Sequence, residues 1–327
     1  MKWSRNIKKL QRGLRVATKA AIALAPQPAT GTPTSAGARR LTSFREFDPN
    51  PGDLRMLTHA NHPAPGRPLV VLLHGCGQDA AGFAADTGWI AAADRLGIPL
   101  IVPEQAAAGA GHRCFQWFHL ADIQRDHGEG ASIAAMTRHA IARFRSDPAR
   151  VFIVGLSAGG AMAAAMLAAY PDLFAAGAAV AGLPVGTAGS SVQALVRMAG
   201  AGPDEDPAAW ERRAREIGPK AFSGHWPRLS VWHGSGDQTV DPANADLLAL
   251  QWRTLHGLPA APVRDVTDDG VRHRVWGGGV LPPLEQWTLD GVPHGYPIGD
   301  AVEPVGPFIL KDTAPATQRI ARFFGLS

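Results

Sequence analysis

The segment GLSAG at residues 155–159 holds the residue with the clearest capacity for chemistry, Ser157. An apolar run at residues 151–154 comes directly before it, and an alanine- and methionine-rich run follows at residues 161–170. This order predicts a strand, a sharp turn and a helix, and glycines fit the strained turn because they carry no side chain. Such a turn exposes the serine hydroxyl above a helix N-terminus, where developing negative charge is stabilised. We predict that Ser157 is a nucleophile for acyl transfer; an ordinary tight turn is the alternative.

A serine hydroxyl needs a general base, and histidine is the side chain that usually supplies one. Serine nucleophiles on such turns are followed along the chain by the acid and then by the histidine. The histidines downstream of the serine are His225, His233, His256, His273 and His294. Since His294 lies in a loop between turn residues after the last predicted strand, we predict that it is the base. His233 precedes the candidate acid, so its place in the chain order is wrong for a base.

The candidate acid is Asp237, which follows an apolar run at residues 229–233 in a glycine-containing loop. A carboxylate at the end of that strand would fix the histidine tautomer and stabilise the imidazolium that forms during attack. Asp241 is the competitor. Its alternative role is to cap the helix that begins after Pro242, which aspartate does well.

An oxyanion hole is predicted at the segment HGCGQ, residues 74–78, which follows the first central strand. Glycines allow the backbone to approach a bound carbonyl, and the hole needs one N–H from this loop beside that of the residue after the nucleophile. We predict the amides of Cys76 and Ala158 as the two donors, with Gly77 as the alternative to Cys76. His74 is then a structural residue.

The elements that must position these residues are short apolar runs alternating with helical patterns. The runs at residues 69–73, 99–103, 151–154, 229–233 and 285–289 read as strands, and those at 88–96, 132–145 and 161–170 as helices. Continuous apolar strands belong in the centre of a sheet covered on both faces. The pattern predicts an α/β fold with a mostly parallel central sheet flanked by helices. A small cap insertion is predicted at residues 183–227, with an ordinary connecting layer as the alternative, and a short hairpin near residues 45 and 54–58.

Composition supports one large globular domain over residues 41–327. Of the 327 residues, 46% are hydrophobic and 18% charged, which excludes a disordered or fibrous chain. There is no apolar stretch long enough to span a membrane. Two cysteines and no zinc-binding spacing predict neither a disulfide scaffold nor a metal, and we expect no cofactor.

The positive charge is concentrated in residues 1–40, which hold nine Lys or Arg and no acidic residue. The remaining residues hold 23 basic and 28 acidic side chains, so the body is mildly acidic. A nucleic-acid enzyme would spread positive charge over its main domain, so no nucleic-acid partner is predicted. Residues 26–38 read as a flexible linker.

The first nineteen residues place apolar side chains on one face of a possible helix, with basic side chains largely elsewhere. The apolar positions are Trp3, Ile7, Leu10 and Leu14. Such a helix would suit an anionic lipid or a coated granule; a solvated tail that never folds is the alternative. As a secretory signal, the apolar run at residues 20–25 is short, so an intracellular location is favoured and export is the alternative.

With these motifs in place, the chain resembles the polyhydroxybutyrate depolymerase family of esterases, within the α/β-hydrolase superfamily. The resemblance extends from about residue 55 to the C-terminus. It is carried by LLHGCGQ at 72–78, PEQ at 103–105, RCFQWF at 113–118, GLSAGGAM at 155–162 and HGSGD at 233–237. It implies an α/β-hydrolase fold and hydrolysis of carboxylic esters through an acyl-enzyme. The implied triad is Ser157, Asp237 and His294.

The resemblance implies further residue roles. Trp117 is expected to form an apolar wall of the substrate pocket, with core packing as its alternative, and Gln78 is expected to contact substrate. Cys76 and Cys114 both lie in family-like segments, so a disulfide that braces the oxyanion loop is one expectation and two free thiols are the other. Tyr296 stands where many members have a tryptophan soon after the histidine, so the pocket is expected to differ.

The implied substrates are aliphatic hydroxyacid esters. Because the chain ends soon after His294, without the linker and binding domain of secreted polymer-degrading members, we expect oligomers, amorphous polymer or short esters rather than crystalline polymer. A feruloyl or acetyl polysaccharide esterase of the same family is one alternative. A non-catalytic protein that binds granules or lipid is the other.

Overall fold

A ten-stranded mixed sheet forms the centre of the computed structural model, which describes residues 41–105, 113–202, 206–299, 306–312 and 314–326. The sequence predictions for residues 1–40 lie outside these ranges. The strand order is β1-β2-β4-β3-β5-β6-β7-β10-β9-β8. The strands are β1 Thr42–Phe44, β2 Leu54–His59, β3 Leu69–Leu73, β4 Leu100–Gln105, β5 Val151–Leu156, β6 Ala176–Val180, β7 Arg228–Gly234, β8 Arg264–Asp268, β9 Val271–Trp276 and β10 Leu284–Leu289.

The six central strands, from β4 to β10 in the sheet order, run parallel to one another, and the outer strands pair antiparallel. Every residue of β3, β5 and β6 is buried. Side chains of β5 alternate between two apolar layers, with Ile153 in one and Val154 in the other. The predicted mostly parallel sheet, covered on both faces, is confirmed.

Helices cover both faces of this sheet. They are α1 Ala80–Asp86, α2 Trp89–Leu96, α3 Leu120–Ile123, α4 Gly128–Phe144, α5 Ala158–Ala169, α6 Ser191–Ala199, α7 Pro207–Glu216, α8 Ala243–Leu255 and α9 Ala316–Phe324. The layer on one face includes α4, α5 and α8, and the layer on the other includes α1, α2 and α9. Of the described helices, none is long and apolar enough to cross a membrane.

Three strands of the ten-stranded sheet were not predicted from the sequence. β6 has the sequence AGAAV, and β8 and β9 form a hairpin whose first strand is exposed along its whole length. The hairpin predicted near residues 45 and 54–58 is the antiparallel pair β1 and β2.

Loops that leave the carboxyl ends of the central strands carry the candidate functional residues. Because parallel strands end at one edge of the sheet, the loops after β3, β5, β7 and β10 meet there. Helices α6 and α7 lie within residues 183–227, the segment predicted as a cap, between β6 and β7. A two-stranded sheet, β11 Tyr296–Pro297 and β12 Ile309–Leu310, follows the last of these loops.

Candidate active site

Ser157 occupies a strained turn between β5 and α5. Its φ is 56° and its ψ is −116°, and its backbone N–H donates to Val180 O at 2.8 Å. The neighbouring glycines are required by close backbone packing. A Cβ on Gly155 would lie 2.0 Å from Gly159 O, and one on Gly159 would lie 2.2 Å from Leu73 O. The backbones of β5 and α5 therefore pack so closely at this turn that only glycine fits at the two positions that flank the Leu156–Ala158 segment with the serine.

The carboxylate of Asp237 is fully buried at the end of β7. Its Oδ1 accepts the backbone N–H groups of Thr239 and Val240 at 2.8 and 2.9 Å. Its Oδ2 lies 2.6 Å from His294 Nδ1 and 3.0 Å from His233 Nε2. Burial alone would raise the pKa of Asp237, but the hydrogen bonds from the two histidines outweigh it and hold the pKa well below its ordinary value. The residue is therefore a buried anion with all its lone pairs engaged.

His294 is oriented by this carboxylate. Because Nδ1 donates to Asp237 Oδ2, the free lone pair of the neutral ring lies on Nε2. The loops that carry the two residues are joined through their backbones, since Gly236 N donates to Val292 O at 3.1 Å and a Cβ on Gly234 would lie 2.0 Å from that same oxygen. The glycines of the HGSGD segment thus set the separation of acid and histidine.

An open pocket lies at this edge of the sheet. Ser157 and His294 both line it, and most of its other lining is apolar. The lining residues are Gly75, Cys76, Trp117, Leu156, Ser157, Ala158, Leu183, Met198, Thr239, His294 and Phe308. The predicted nucleophile and base therefore share one cavity with the predicted wall residue Trp117.

The two predicted oxyanion donors also line this pocket. Ala158 is the first residue of α5, so its N–H has no partner within the helix. Cys76 lines the pocket from the loop after β3, whereas Gly77, the alternative donor, is not one of the described lining residues. His74 is enclosed behind the loop: Nδ1 lies 2.8 Å from Gly75 O, and burial lowers the pKa of the ring. The placement favours Cys76 over Gly77.

The Gln78 side chain joins two backbone segments near the pocket. Its Oε1 accepts the backbone N–H of Gly75 at 2.8 Å, and its Nε2 donates to Pro307 O at 2.7 Å. Both ends of the amide are thus engaged within the protein, and the side chain does not line the pocket. That Gln78 binds substrate stays a prediction; in the structure the residue joins the oxyanion loop to the segment that carries Phe308.

Cys76 and Cys114 form a disulfide with a Cα–Cα distance of 4.4 Å. The bond joins the oxyanion loop to the segment that carries Trp117. Glu129 also binds this segment, since its Oε2 accepts the backbone N–H of Gln116 at 2.8 Å. Burial raises the pKa of Glu129 to about 8. One wall of the pocket is therefore fixed by a covalent bond and by a buried carboxyl group.

The competing residues are engaged elsewhere. Asp241 Oδ1 accepts the backbone N–H of Ala243 at 2.9 Å, at the start of α8, as its alternative role predicts. His256 contacts Pro227 O at 3.2 Å, and His273 contacts Glu285 at 2.9 Å. Neither histidine lines the pocket described above.

Tyr296 does not alter the pocket in the way that its position suggested. It is fully buried, and its hydroxyl accepts from Trp89 Nε1 at 3.0 Å and bonds Thr317 Oγ1 at 2.9 Å. The ring is not part of the described lining, so the departure from tryptophan is accommodated in the core.

Three residues near the site were missed by sequence reasoning. Phe308 lies with its ring centroid 5.8 Å from that of His294, and Met198 reaches the pocket from α6. No spacing in the sequence connects either of them to the serine. The third is His233, whose only signal was its position at the end of a strand beside the acid loop.

Comparison with known proteins agrees with this geometry. The sequence profile of the family described as Esterase PHB depolymerase matches residues 61–270. A poly(3-hydroxyalkanoate) depolymerase C from Paucimonas lemoignei is 37% identical over 300 residues, covering 90% of this chain and 72% of that protein. An acetylxylan esterase from Coprinopsis cinerea is 31% identical over 284 residues, covering 82% of this chain and 73% of its own.

The solved structures add the fold. An acetyl xylan esterase from Aspergillus awamori superposes with a TM-score of 0.75 over 88% of this chain and 99% of that one, at 24% identity. The architecture is thus that of an α/β-hydrolase. Family profile, relatives and fold agree that this chain belongs to the Esterase PHB depolymerase family and is a carboxylic ester hydrolase.

Proposed function

We propose that the chain hydrolyses aliphatic hydroxyacid esters, as oligomers, amorphous polymer or short esters, with Ser157, Asp237 and His294 as its catalytic triad. The observation that carries the substrate class is the lining of the pocket around the serine. Its walls are formed by the side chains of Trp117, Leu156, Leu183, Met198 and Phe308. An apolar cavity of this kind favours an aliphatic acyl group over a hydrated sugar. The related poly(3-hydroxyalkanoate) depolymerase supports the same class.

The proposed reaction begins when Ser157 Oγ attacks the ester carbonyl carbon. His294 Nε2 takes the hydroxyl proton, and the amides of Cys76 and Ala158 stabilise the oxyanion of the tetrahedral intermediate. The ester C–O bond then breaks, and the imidazolium returns the proton to the departing alcohol. Water repeats the sequence on the acyl-enzyme, which releases the acid and restores the serine. Asp237 stays ionised throughout and stabilises the imidazolium.

The triad assignment is tested by Ser157→Ala, measured with p-nitrophenyl butyrate. We expect turnover to fall by about 10⁴-fold or more with the circular dichroism spectrum unchanged, because the nucleophile is lost without a change in the buried turn. Ser43→Ala, at an exposed position in β1, is the matched control and should keep full activity. Retained turnover in Ser157→Ala would overturn the assignment.

The substrate class is tested by comparing kcat/KM on one preparation. The substrates are 3-hydroxybutyrate trimer, p-nitrophenyl butyrate, ethyl ferulate and acetylated xylan. We expect the first two to be preferred by at least about tenfold, since a missing apolar contact costs roughly 1–3 kcal/mol. The acetylxylan esterase relatives favour the alternative of a polysaccharide esterase, and a preference for xylan or ferulate would establish it instead.

Residues 1–19 are proposed to bring the enzyme to an anionic granule or membrane surface. The support is the nine basic side chains in residues 1–40 and the helical spacing of the apolar ones. Deletion of residues 1–40 distinguishes this proposal from the alternative of a non-catalytic binder. A binder would lose its function with the tail, whereas an esterase would still hydrolyse small esters.

An intracellular location remains the proposal, because it leaves residues 1–19 on the working enzyme, and export remains the alternative. The Cys76–Cys114 disulfide supports the alternative, since such bonds persist in oxidising compartments. Cells that produce the full chain would be fractionated, and the thiols labelled with a maleimide before and after reduction. Recovery of the full chain in the cytosolic fraction is expected; recovery outside the cytosol, with the thiols labelled only after reduction, would establish export instead.

A further inference from the structure

His233 is a second histidine on the carboxylate of Asp237. Its side chain, at the end of β7, is 1% exposed, and its Nε2 lies 3.0 Å from Asp237 Oδ2 and 3.1 Å from Val240 O. Both neighbours are acceptors, so Nε2 must carry a proton. Within the described residues, Nδ1 is buried and has no hydrogen-bond partner. The hydrogen-bond pattern therefore places the ring proton on Nε2.

The two imidazoles share one oxygen of the acid. His294 Nδ1 donates to Asp237 Oδ2 at 2.6 Å and His233 Nε2 donates to the same atom at 3.0 Å. Each donor draws negative charge toward itself. The hydrogen bond from one histidine therefore lowers the basicity of Asp237 Oδ2 toward the other histidine. Within the part of the chain that the structure describes, the ionisable groups that interact with the carboxylate are these two rings, His233 at the end of β7 and His294 on the loop after β10.

His233 also bridges the two ends of the loop that carries Asp237. The bond from His233 to Val240 O spans the turn, and the backbone N–H of Val240 returns to Asp237 Oδ1 at 2.9 Å. A buried ring nitrogen without a partner costs roughly 1–3 kcal/mol, a penalty that an aliphatic side chain would avoid. Packing alone therefore does not account for an imidazole here.

We propose that His233 is a positioning residue for the triad, which holds the rotamer of Asp237 and limits the basicity of Oδ2 toward His294. The inference rests on the proposed triad and adds a residue that acts only through the acid. When the bond from His233 is lost, Oδ2 becomes more basic and stabilises the His294 imidazolium more strongly. The acid limb of the pH–rate profile, which reports protonation of the base, then moves to higher pH.

Two variants test this, with kcat and KM measured against pH on p-nitrophenyl butyrate. His233→Leu removes the donor; we expect kcat to fall by about 10- to 100-fold with little change in KM, and the acid limb to rise by about half a pH unit. His233→Gln keeps an N–H near Nε2 and should restore most of both. His256→Leu, which removes a partly buried histidine bonded to Pro227 O outside the pocket, is the matched control, and its profile should not move.

The outcomes separate the possibilities. Equal losses in His233→Leu and His233→Gln with an unmoved acid limb would overturn the proposal and leave a packing role. Should the leucine variant not fold, ¹⁵N NMR of the wild-type chain decides, because a His233 ring protonated on Nδ1 instead of Nε2 contradicts the inference. Failure of the triad itself would show differently, as an active Ser157→Ala enzyme.

Discussion

At the scale of single residues, the acid is the part of the site on which most interactions converge. Asp237 accepts four hydrogen bonds, two from backbone N–H groups and two from imidazoles. Asp237→Asn would turn an amide toward donors that need an acceptor. We expect kcat to fall by about 10⁴-fold, because the wrong tautomer of His294 is favoured. Steady-state kinetics on p-nitrophenyl butyrate would measure the loss.

Asp241→Asn is the control for this prediction. Its carbonyl oxygen can still accept the N–H of Ala243, so activity should be unchanged and stability altered by less than about 0.5 kcal/mol. The reverse pattern, with Asp241→Asn inactive and Asp237→Asn active, would make Asp241 the acid.

Glu129 predicts how stability depends on pH. Its pKa of about 8 lies above its ordinary value, so between these two pH values the folded chain holds a proton that the unfolded chain releases. This contribution to stability is complete below the ordinary pKa and is lost as pH rises to about 8. Urea unfolding should therefore give a free energy that declines over this range by on the order of 5 kcal/mol.

Glu129→Gln removes this decline, because a neutral amide can accept the N–H of Gln116 without titrating. Glu216→Gln, at the exposed end of α7, should keep the wild-type profile. Parallel profiles for the wild type and Glu129→Gln would show that the carboxyl group does not hold its proton in the folded state.

Some residues of the site could be predicted and others could not. Ser157 and Asp237 carry local signals, since each follows a strand and lies among glycines that allow the turn. Gln78 carried the same kind of signal, but its amide is satisfied by backbone groups at Gly75 and Pro307, a long-range partner that no spacing specifies. Phe308 reaches His294 from a segment with no motif at all.

At the scale of elements, strands were predictable where their residues are branched. The run LVVLL of β3 has both the composition and the length of a buried strand. The run AGAAV of β6 has the same length but lacks the composition, because alanine and glycine are weak strand formers. It is a strand because it lies between β5 and β7, where small residues permit α5 to pack closely: a Cβ on Gly177 would lie 2.7 Å from a Leu167 methyl.

The strand–turn–helix element yields a prediction about folding. Gly155→Ala would place a Cβ 2.0 Å from Gly159 O, a backbone atom that cannot move without displacing α5. We expect a loss of more than about 3 kcal/mol in the free energy of unfolding, or no folded protein. Chemical denaturation followed by tryptophan fluorescence would measure it.

Gly278→Ala is the matched control, since a Cβ there meets nothing within 4 Å and the backbone is outside the left-handed region. Its stability should change by less than about 0.5 kcal/mol. A Gly155→Ala protein as stable as Gly278→Ala would mean that the turn is looser than its contacts indicate.

At the scale of the whole molecule, charge is divided between a basic tail and a mildly acidic body. Residues 41–327 hold 23 basic and 28 acidic side chains, so an anionic surface repels the body and attracts the tail. Replacing Lys8, Lys9, Arg12 and Arg15 by Gln should weaken binding to phosphatidylserine vesicles by about 10²- to 10³-fold. Each basic side chain near such a surface contributes roughly 1 kcal/mol. Sedimentation with vesicles at low salt would measure the change.

Hydrolysis of p-nitrophenyl butyrate should be unaffected in this variant, because the soluble ester reaches the pocket without any surface. The matched control neutralises four exposed arginines of the body: Arg45, Arg95, Arg212 and Arg264. Since the body is already acidic, that variant should keep vesicle binding within about twofold of wild type. If both variants lose binding equally, net charge alone governs adsorption. If neither does, the tail does not act as a surface anchor, and the catalytic domain meets its substrate unaided.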